Sequence, residues 1–319
     1  MKNYKVTFGL PAFKVDFLSE AINSILSQSF DNFQLIILND NPGSKVKNIV
    51  DQFEDERIIY FENEENIGSK NLIDCWNKLL SFVKTEFFIL ASDDDIYDEK
   101  FLEILIKLSE KYPKTSIFYS RCKVIDSNNK VKYITASAPE FETASDFIWH
   151  RIKNYRMFYA PNFLVKTEDL KRIGGFVNVK KAWGADDLTW FRLSNLNGIV
   201  STSYLLFNWR ESEKNISRLP HTKDKFDAII DYYIILDRFL QDELLIKKDE
   251  KIILEEILKN IEFRKSINFA HVLKTSCKDE LLSYLKIFYL WFINRKKYNF
   301  NLTSLVWAFL LLSKDLKGK

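Results

Sequence analysis

Apolar residues in the first third of the chain gather in short runs, and between those runs they recur every three or four positions. Lys5 to Leu10, Gln34 to Leu38, Arg57 to Phe61 and Phe87 to Ala91 have the length and composition of strands. The last of these does not alternate, so it reads as a strand buried on both faces of a parallel sheet. Phe17, Leu18, Ala21, Ile22, Ile25 and Leu26 fall on one helical face, with Asp16 or Ser19 expected to cap it. Val46, Ile49, Val50 and Phe53 form a second stripe, and Leu72, Trp76, Leu79, Leu80 and Val83 a third. Pro11 is expected to stop the first strand, leaving Ala12-Phe13-Lys14 as a loop, and Asn39-Asp40-Asn41-Pro42-Gly43 closes the second. Strand and helix in alternation predict an α/β fold: an open, mainly parallel sheet with right-handed crossovers.

The pattern changes beyond the helix predicted over 99–112. Ser116 to Ile125, Lys130 to Thr135 and Asn162 to Val165 resemble strands of antiparallel type, and Thr143 to Ile152 a helix. Gly174-Gly175 interrupts the backbone, and 180–187 leads into a helix carrying Leu188, Phe191 and Leu193. This half is expected to hold a second substrate. From Lys223 onward the periodicity is helical, which divides the chain into residues 1–220 and a C-terminal helical extension, 221–319.

Composition narrows the classes. With 319 residues, 46% hydrophobic and 29% charged, the chain has the makings of a sizeable core, and a net charge of +3 is too small to argue for nucleic acid. The charge is uneven: eleven Lys/Arg against three Asp/Glu follow from Arg264 onward. In that tail an aromatic run, 287–293, precedes Asn294-Arg295-Lys296-Lys297, the composition of an interfacial helix on an anionic membrane or of a helical hairpin packed on the main domain. No apolar run is long enough to span a bilayer. Three scattered cysteines and the lack of an apolar leader suggest a reducing, cytoplasmic setting, with peripheral contact to the inner membrane face as an option.

The candidate chemistry lies where apolar runs end. Phe87 to Ala91 stops abruptly at Ser92-Asp93-Asp94-Asp95, and ligands of open α/β sheets gather at such strand ends. Three adjacent carboxylates repel one another, so a hard divalent cation or a solvated helix-capping turn is expected to absorb their charge. Asp40 ends another strand of the same sheet. Ala185-Asp186-Asp187 opens a later helix, where a helix-dipole cap is the plainer reading. No Gly-rich fingerprint follows the first strand, which argues against a nicotinamide or flavin enzyme.

Taken together, Gly9-Leu10-Pro11-Ala12-Phe13, Asn39-Asp40, Asn66-Ile67-Gly68, Ser92-Asp93-Asp94-Asp95, Gly174-Gly175-Phe176 and Gly184-Ala185-Asp186-Asp187 resemble, in order and spacing over roughly residues 3 to 215, the family 2 glycosyltransferases of the GT-A fold. The resemblance implies a nucleotide-diphosphate sugar donor, most often of uridine type. Pro11, Phe13, Asp40, Asn66, Gly68, Lys70 and Asp93 would form the donor side. It makes Asp94, assisted by Asp93 or Asp95, the anchor of a Mn or Mg ion, and Asp187 the catalytic base, with Trp183 and Asp186 on the acceptor side. The acceptor implied is a glycan or lipid-linked hydroxyl, as in bacterial surface polysaccharide synthesis. The chain departs from the family pattern at Phe13, where Tyr is frequent, at Asn39, where Asp is frequent, and at Asp186, where Glu is frequent. Lys70, Arg210 and Arg218 are further candidates for pyrophosphate contacts. Two other readings remain at this stage: a sugar-phosphate nucleotidyltransferase, and a glycosyltransferase-like module that binds or assembles without turnover.

Overall fold

A computed structural model describes residues 2–211, 222–245, 248–277 and 282–317. Four strands, β1 (Val6–Ala12), β2 (Phe33–Asn39), β3 (Ile58–Glu62) and β4 (Phe87–Leu90), form a parallel block in the order β3-β2-β1-β4. The sheet continues from β4 through antiparallel β9 (Phe163–Lys166) and β6 (Ile117–Ile125) to β10 (Ile199–Arg210), which runs parallel to β6. A two-residue strand, β5 (Ile96–Tyr97), lies beside β10. Two further short strands, β7 (Val131–Ile134) and β8 (Phe141–Glu142), flank β6 and β10.

Pro11 does not end the first strand. It is paired in register with Leu38, and the strand continues to Ala12. The Ala12 carbonyl accepts from Asp40 N on the β2 side, whereas the Gly9 carbonyl accepts from Ala91 N on the β4 side. Pro11, two residues beyond Gly9, therefore turns its nitrogen toward β4 where that strand has already stopped, and the missing N–H costs no ladder bond.

Alternation within the strands separates two cores. Leu35 and Ile37 of β2 join Phe8, Leu10, α1 (Leu18–Leu26) and α4 (Phe101–Lys111) on one face. Ile36 and Leu38 join α3 (Ile67–Ser81) and α7 (Ala185–Asn197) on the other. Neither expected cap holds α1: its N-cap position is Phe17, with no side-chain hydrogen bond. Smaller helices, α2 (Val46–Val50), α5 (Ala144–Ile152) and α6 (Thr167–Arg172), complete this part.

The C-terminal helices are α8 (Thr222–Arg238), α9 (Lys251–Thr275), α10 (Ser283–Tyr298) and α11 (Leu302–Lys317). Their buried residues, among them Tyr232, Ile257, Phe269 and Ile287, are continuous with the core containing Trp190 and Phe191. Among the described residues, no helix is long and apolar enough to cross a membrane.

Candidate active site

Asp40 follows β2 and is 4% exposed. Its carboxylate accepts hydrogen bonds from Asn63 Nδ2 (2.6 Å), Ile67 N (2.8 Å) and Gly68 N (2.7 Å), and so closes the first turn of α3. A helix N-terminus offers unpaired N–H groups and a partial positive charge, which is why a carboxylate fits there. Gly68 permits the approach, since a Cβ at that position would stand 2.6 Å from Asp40 Oδ2. Asn66 caps the same helix by accepting from Ser69 N (2.8 Å). Asp40 and Asn66, predicted to touch the donor, thus have evident work in holding α3 to the sheet rim.

At the neighbouring strand end the three aspartates point in different directions. Asp93 Oδ2 accepts from Phe13 N (2.9 Å) and Lys14 N (2.6 Å), tying the segment after β1 to the end of β4. Asp94 takes a hydrogen bond from Ser92 Oγ (2.6 Å) on Oδ1, while Oδ2 pairs with Lys14 Nζ, which also lies 3.4 Å from Asp93 Oδ1. Asp95, 1% exposed, accepts from Arg210 N (2.8 Å). Burial and the charge of Asp94 push the Asp95 carboxyl well above its ordinary range, and the Arg210 N–H pulls it back. Burial likewise raises Asp93, against the pull of Lys14. Burial opposes the charge on Lys14, but Asp93 and Asp94 outweigh it and raise the lysine.

Two of the expected site residues are engaged by other parts of the chain. Asp95 faces the interior, where the β10 backbone donates to its Oδ1. Arg210 is fully buried: it donates to the Asp94 carbonyl (2.8 Å), Asn129 Oδ1 (2.6 Å) and Glu20 (2.8 Å), and its guanidinium lies 3.9 Å from the Phe17 ring centroid. It braces the aspartate turn from behind and does not offer itself to a pyrophosphate. Arg218 lies outside the described residues. Lys70 pairs with Glu65 (2.7 Å) and lines a cavity of about 540 Å³ between α3 and α8, together with Asn71, Lys180, Lys181, Asp224 and Asp231. None of the predicted carboxylates lines that cavity. Pro11 is half-buried at the end of β1, and the Phe13 side chain beyond it is 48% exposed and free to stack.

The third carboxylate group opens α7. Gly184 has φ +69°, and a Cβ there would strike the Tyr232 ring at 2.7 Å, so glycine lets α8 close against the acidic turn. Trp183 meets the same tyrosine edge-on at 5.2 Å. Asp187, 7% exposed, is held by Arg151 of α5, whose Nε lies 3.0 and 2.9 Å from its two oxygens. Burial works against the charge on Arg151, but Asp187 outweighs it and raises the guanidinium further. Asp186 is half-buried, and burial together with the Asp187 charge pushes its carboxyl up to about 7, with Arg151 opposing.

Two ring contacts flank the segment between these sites. Trp209, next to Arg210, stacks on Tyr159 at 4.2 Å, and Phe158 beside it carries the Arg151 guanidinium at 4.8 Å. Lys14 and Arg151 are the functional candidates absent from the sequence reading. Lys14 could have been suspected from its place in the segment following β1; nothing local marks Arg151, whose partner lies 36 residues away.

Among the described residues no three His, Cys, Asp or Glu side chains are arranged to hold an ion by themselves. Asp94 Oδ2, with Asp93 Oδ1 nearby, nevertheless faces a cation, the Lys14 ammonium. Such a donor set fits a divalent ion that takes one or two protein oxygens and completes its shell from phosphates and water.

The architecture is that of the GT-A nucleotide-sugar transferases. The TarS 1–349 fragment of S. aureus, in complex with UDP-GlcNAc, superposes with a TM-score of 0.62 at 15% identity, covering 99% of this chain and 92% of that one. The mannosyltransferase PcManGT of Pyrobaculum calidifontis, in complex with GDP-Man and Mn2+, superposes with a TM-score of 0.58 at 14% identity, over 98% and 87%. The sequence matches glycosyl transferase family 2 over residues 8–174, and the chain belongs to that family. An uncharacterized glycosyltransferase of Methanocaldococcus jannaschii is 28% identical over 164 residues, 49% of this chain and 53% of that protein. The Escherichia coli UDP-Glc:alpha-D-GlcNAc-diphosphoundecaprenol beta-1,3-glucosyltransferase WfgD is 26% identical over 132 residues, 41% and 51%. The chain spans about half the length of the curated relatives it matches.

Proposed function

We propose that the protein transfers a sugar, with inversion, from a nucleotide diphosphate to a hydroxyl of a glycan or lipid-linked acceptor, assisted by a Mn or Mg ion. The observation carrying this reading is Asp94 at the end of β4, held beside the segment after β1 with one carboxylate oxygen facing a cation, in a member of glycosyl transferase family 2. The Arg151-braced pair Asp186–Asp187 at the start of α7 is the second carboxylate group that the reading uses. Phe13 would stack on the donor base, and Asp93 fixes the backbone that presents it. A divalent ion bound by Asp94 and the diphosphate would offset the charge growing on the leaving group. The acceptor O–H loses its proton to a carboxylate as its oxygen attacks the anomeric carbon. The bond to the diphosphate breaks, and its electron pair leaves with the phosphate oxygen. One base and one displacement invert the anomeric centre.

Asp187 is the base implied by the family pattern. The Arg151 clamp on both Asp187 oxygens favours a second reading, in which Asp187 supplies charge and the half-buried Asp186, pushed up to about 7, takes the proton. A general base works best with a pKa near the working pH.

A uridine-type donor and a polyprenyl-linked acceptor are supported by WfgD, whose name specifies both, and by the UDP-GlcNAc complex of TarS; the GDP-Man complex of PcManGT keeps a guanosine donor in play. For a lipid-linked acceptor, α10 would lie on an anionic membrane face, since Leu285, Phe288, Tyr289 and Phe292 are exposed along one side and Arg295 and Lys296 follow them. Incubation with a panel of UDP- and GDP-sugars and Mn2+ tests the reading. Release of UDP or GDP that disappears in Asp94→Ala supports it; a protein that neither binds nor hydrolyses any of them is a binding module instead.

A further inference from the structure

Lys14 stands where a metal-dependent transferase needs a free carboxylate. Its ammonium pairs with Asp94 Oδ2 and lies 3.4 Å from Asp93 Oδ1, and its own backbone N–H is pinned to Asp93 Oδ2 at 2.6 Å. Its side chain is 23% exposed, so the pair is largely shielded from solvent. Of the remaining acceptor positions nearby, Asp94 Oδ1 is engaged by Ser92 and Asp95 is turned inward to β10. A divalent ion approaching the bare protein therefore competes with a tethered positive charge for the one outward carboxylate edge.

We propose that Lys14 is a resident counter-cation that keeps Asp94 occupied until a nucleotide diphosphate arrives, and so couples metal binding to donor binding. The inference rests on the nucleotide-sugar reading above. A diphosphate changes the balance in two ways: it brings oxygens that complete the shell of the ion, and it offers the displaced ammonium a new anionic partner within reach of the same backbone anchor. Lys14 is thus a positioning residue for the cation.

The experiment is Mn2+ binding to the full chain, followed by electron paramagnetic resonance of the free ion, first without nucleotide. Lys14→Met is expected to bind Mn2+ at least about tenfold more tightly than wild type, the equivalent of one lost charged competitor. Lys14→Arg should stay near wild type, and Lys14→Met combined with Asp94→Ala should lose the gain. Lys14→Gln supplies the same comparison if Lys14→Met does not fold. Addition of UDP or GDP should tighten Mn2+ binding strongly in wild type and much less in Lys14→Met. Folded neutral variants whose nucleotide-free Mn2+ affinity equals or falls below that of wild type overturn the proposal. Nucleotides without effect on any variant, with the Lys14→Met gain intact, would instead count against the donor reading and against the coupling drawn from it.

Discussion

At the scale of single residues, the acidic pair of α7 sets the sharpest test. Asp186 must be ionised to accept a proton, and burial beside Asp187 moves its carboxyl up to about 7. If Asp186 is the base, kcat/KM rises with pH through about 7, and Asp186→Asn removes that limb while lowering kcat by about 10²–10⁴-fold. If Asp187 is the base, Asp187→Asn carries the larger loss in kcat and Asp186→Asn the smaller. Arg151 opposes the rise of Asp186, so Arg151→Met should shift the limb to higher pH in steady-state profiles. The stability consequence has the opposite sense to that of a depressed carboxylate. The folded state binds the Asp186 proton more tightly than the unfolded chain, so this group's contribution to stability is complete below about pH 4 and is lost as pH rises through about 7. Asp94→Ala belongs to a different step and should abolish metal-assisted transfer while leaving the α7 pair intact. Among these residues, Asp40 and Asp94 stand out in the sequence because each follows an apolar run, and Asp187 because it opens a helix. Lys14 and Arg151 do not, since a cation announces its partner only after the fold has brought a distant carboxylate to it.

At the scale of elements, the parallel block was readable because its strands are short, mainly apolar runs, and Phe87 to Leu90 is apolar without interruption, as a strand covered on both faces must be. β10 went unread although it spans twelve residues beside β6. Its middle, Ser201-Thr202-Ser203-Tyr204, is polar, and its register against β6 shifts between Thr202 and Leu205 and again before Phe207, so no single period runs along it. That omission hid the brace behind the aspartate turn, since Arg210 closes this strand. The α3 N-terminus makes an element-level prediction. Gly68→Ala would place a methyl 2.6 Å from Asp40 Oδ2, so the carboxylate must leave the Ile67 and Gly68 N–H groups. Losing buried hydrogen bonds to a charged acceptor costs about 1.5–3 kcal/mol each, with part regained from water. A loss of about 2 kcal/mol in urea unfolding, together with weaker nucleotide binding, is expected. A fold as stable as wild type would show that Asp40 does not anchor this helix.

At the scale of the whole molecule, the C-terminal helices have two unlike sides. One side is core: Tyr232 rests on Gly184 at the acidic turn, and Phe269 and Ile287 continue the same apolar cluster, so the extension and the start of α7 share one core. The other side leaves Leu285, Phe288, Tyr289 and Phe292 at 64%, 48%, 60% and 54% exposure, an apolar stripe at helical spacing that ends beside Arg295 and Lys296. Exposed apolar surface of this extent on a helix asks for a cover. A lipid surface meets both demands, apolar contact along the stripe and anionic headgroups for the basic end, at about 1 kcal/mol per cation near the surface. Phe288→Glu with Phe292→Glu keeps the buried Ile287 and Trp291 in place and withdraws two exposed aromatic anchors of about 1.5–3 kcal/mol each. Binding to anionic vesicles should then fall at least about a hundredfold in co-sedimentation. Wild type should bind neutral vesicles more weakly than anionic ones, and high salt should narrow that difference. Should wild type ignore vesicles but sediment as a dimer that the double variant dissociates, the stripe covers a second copy, and the acceptor must reach Asp186 and Asp187 without help from a membrane.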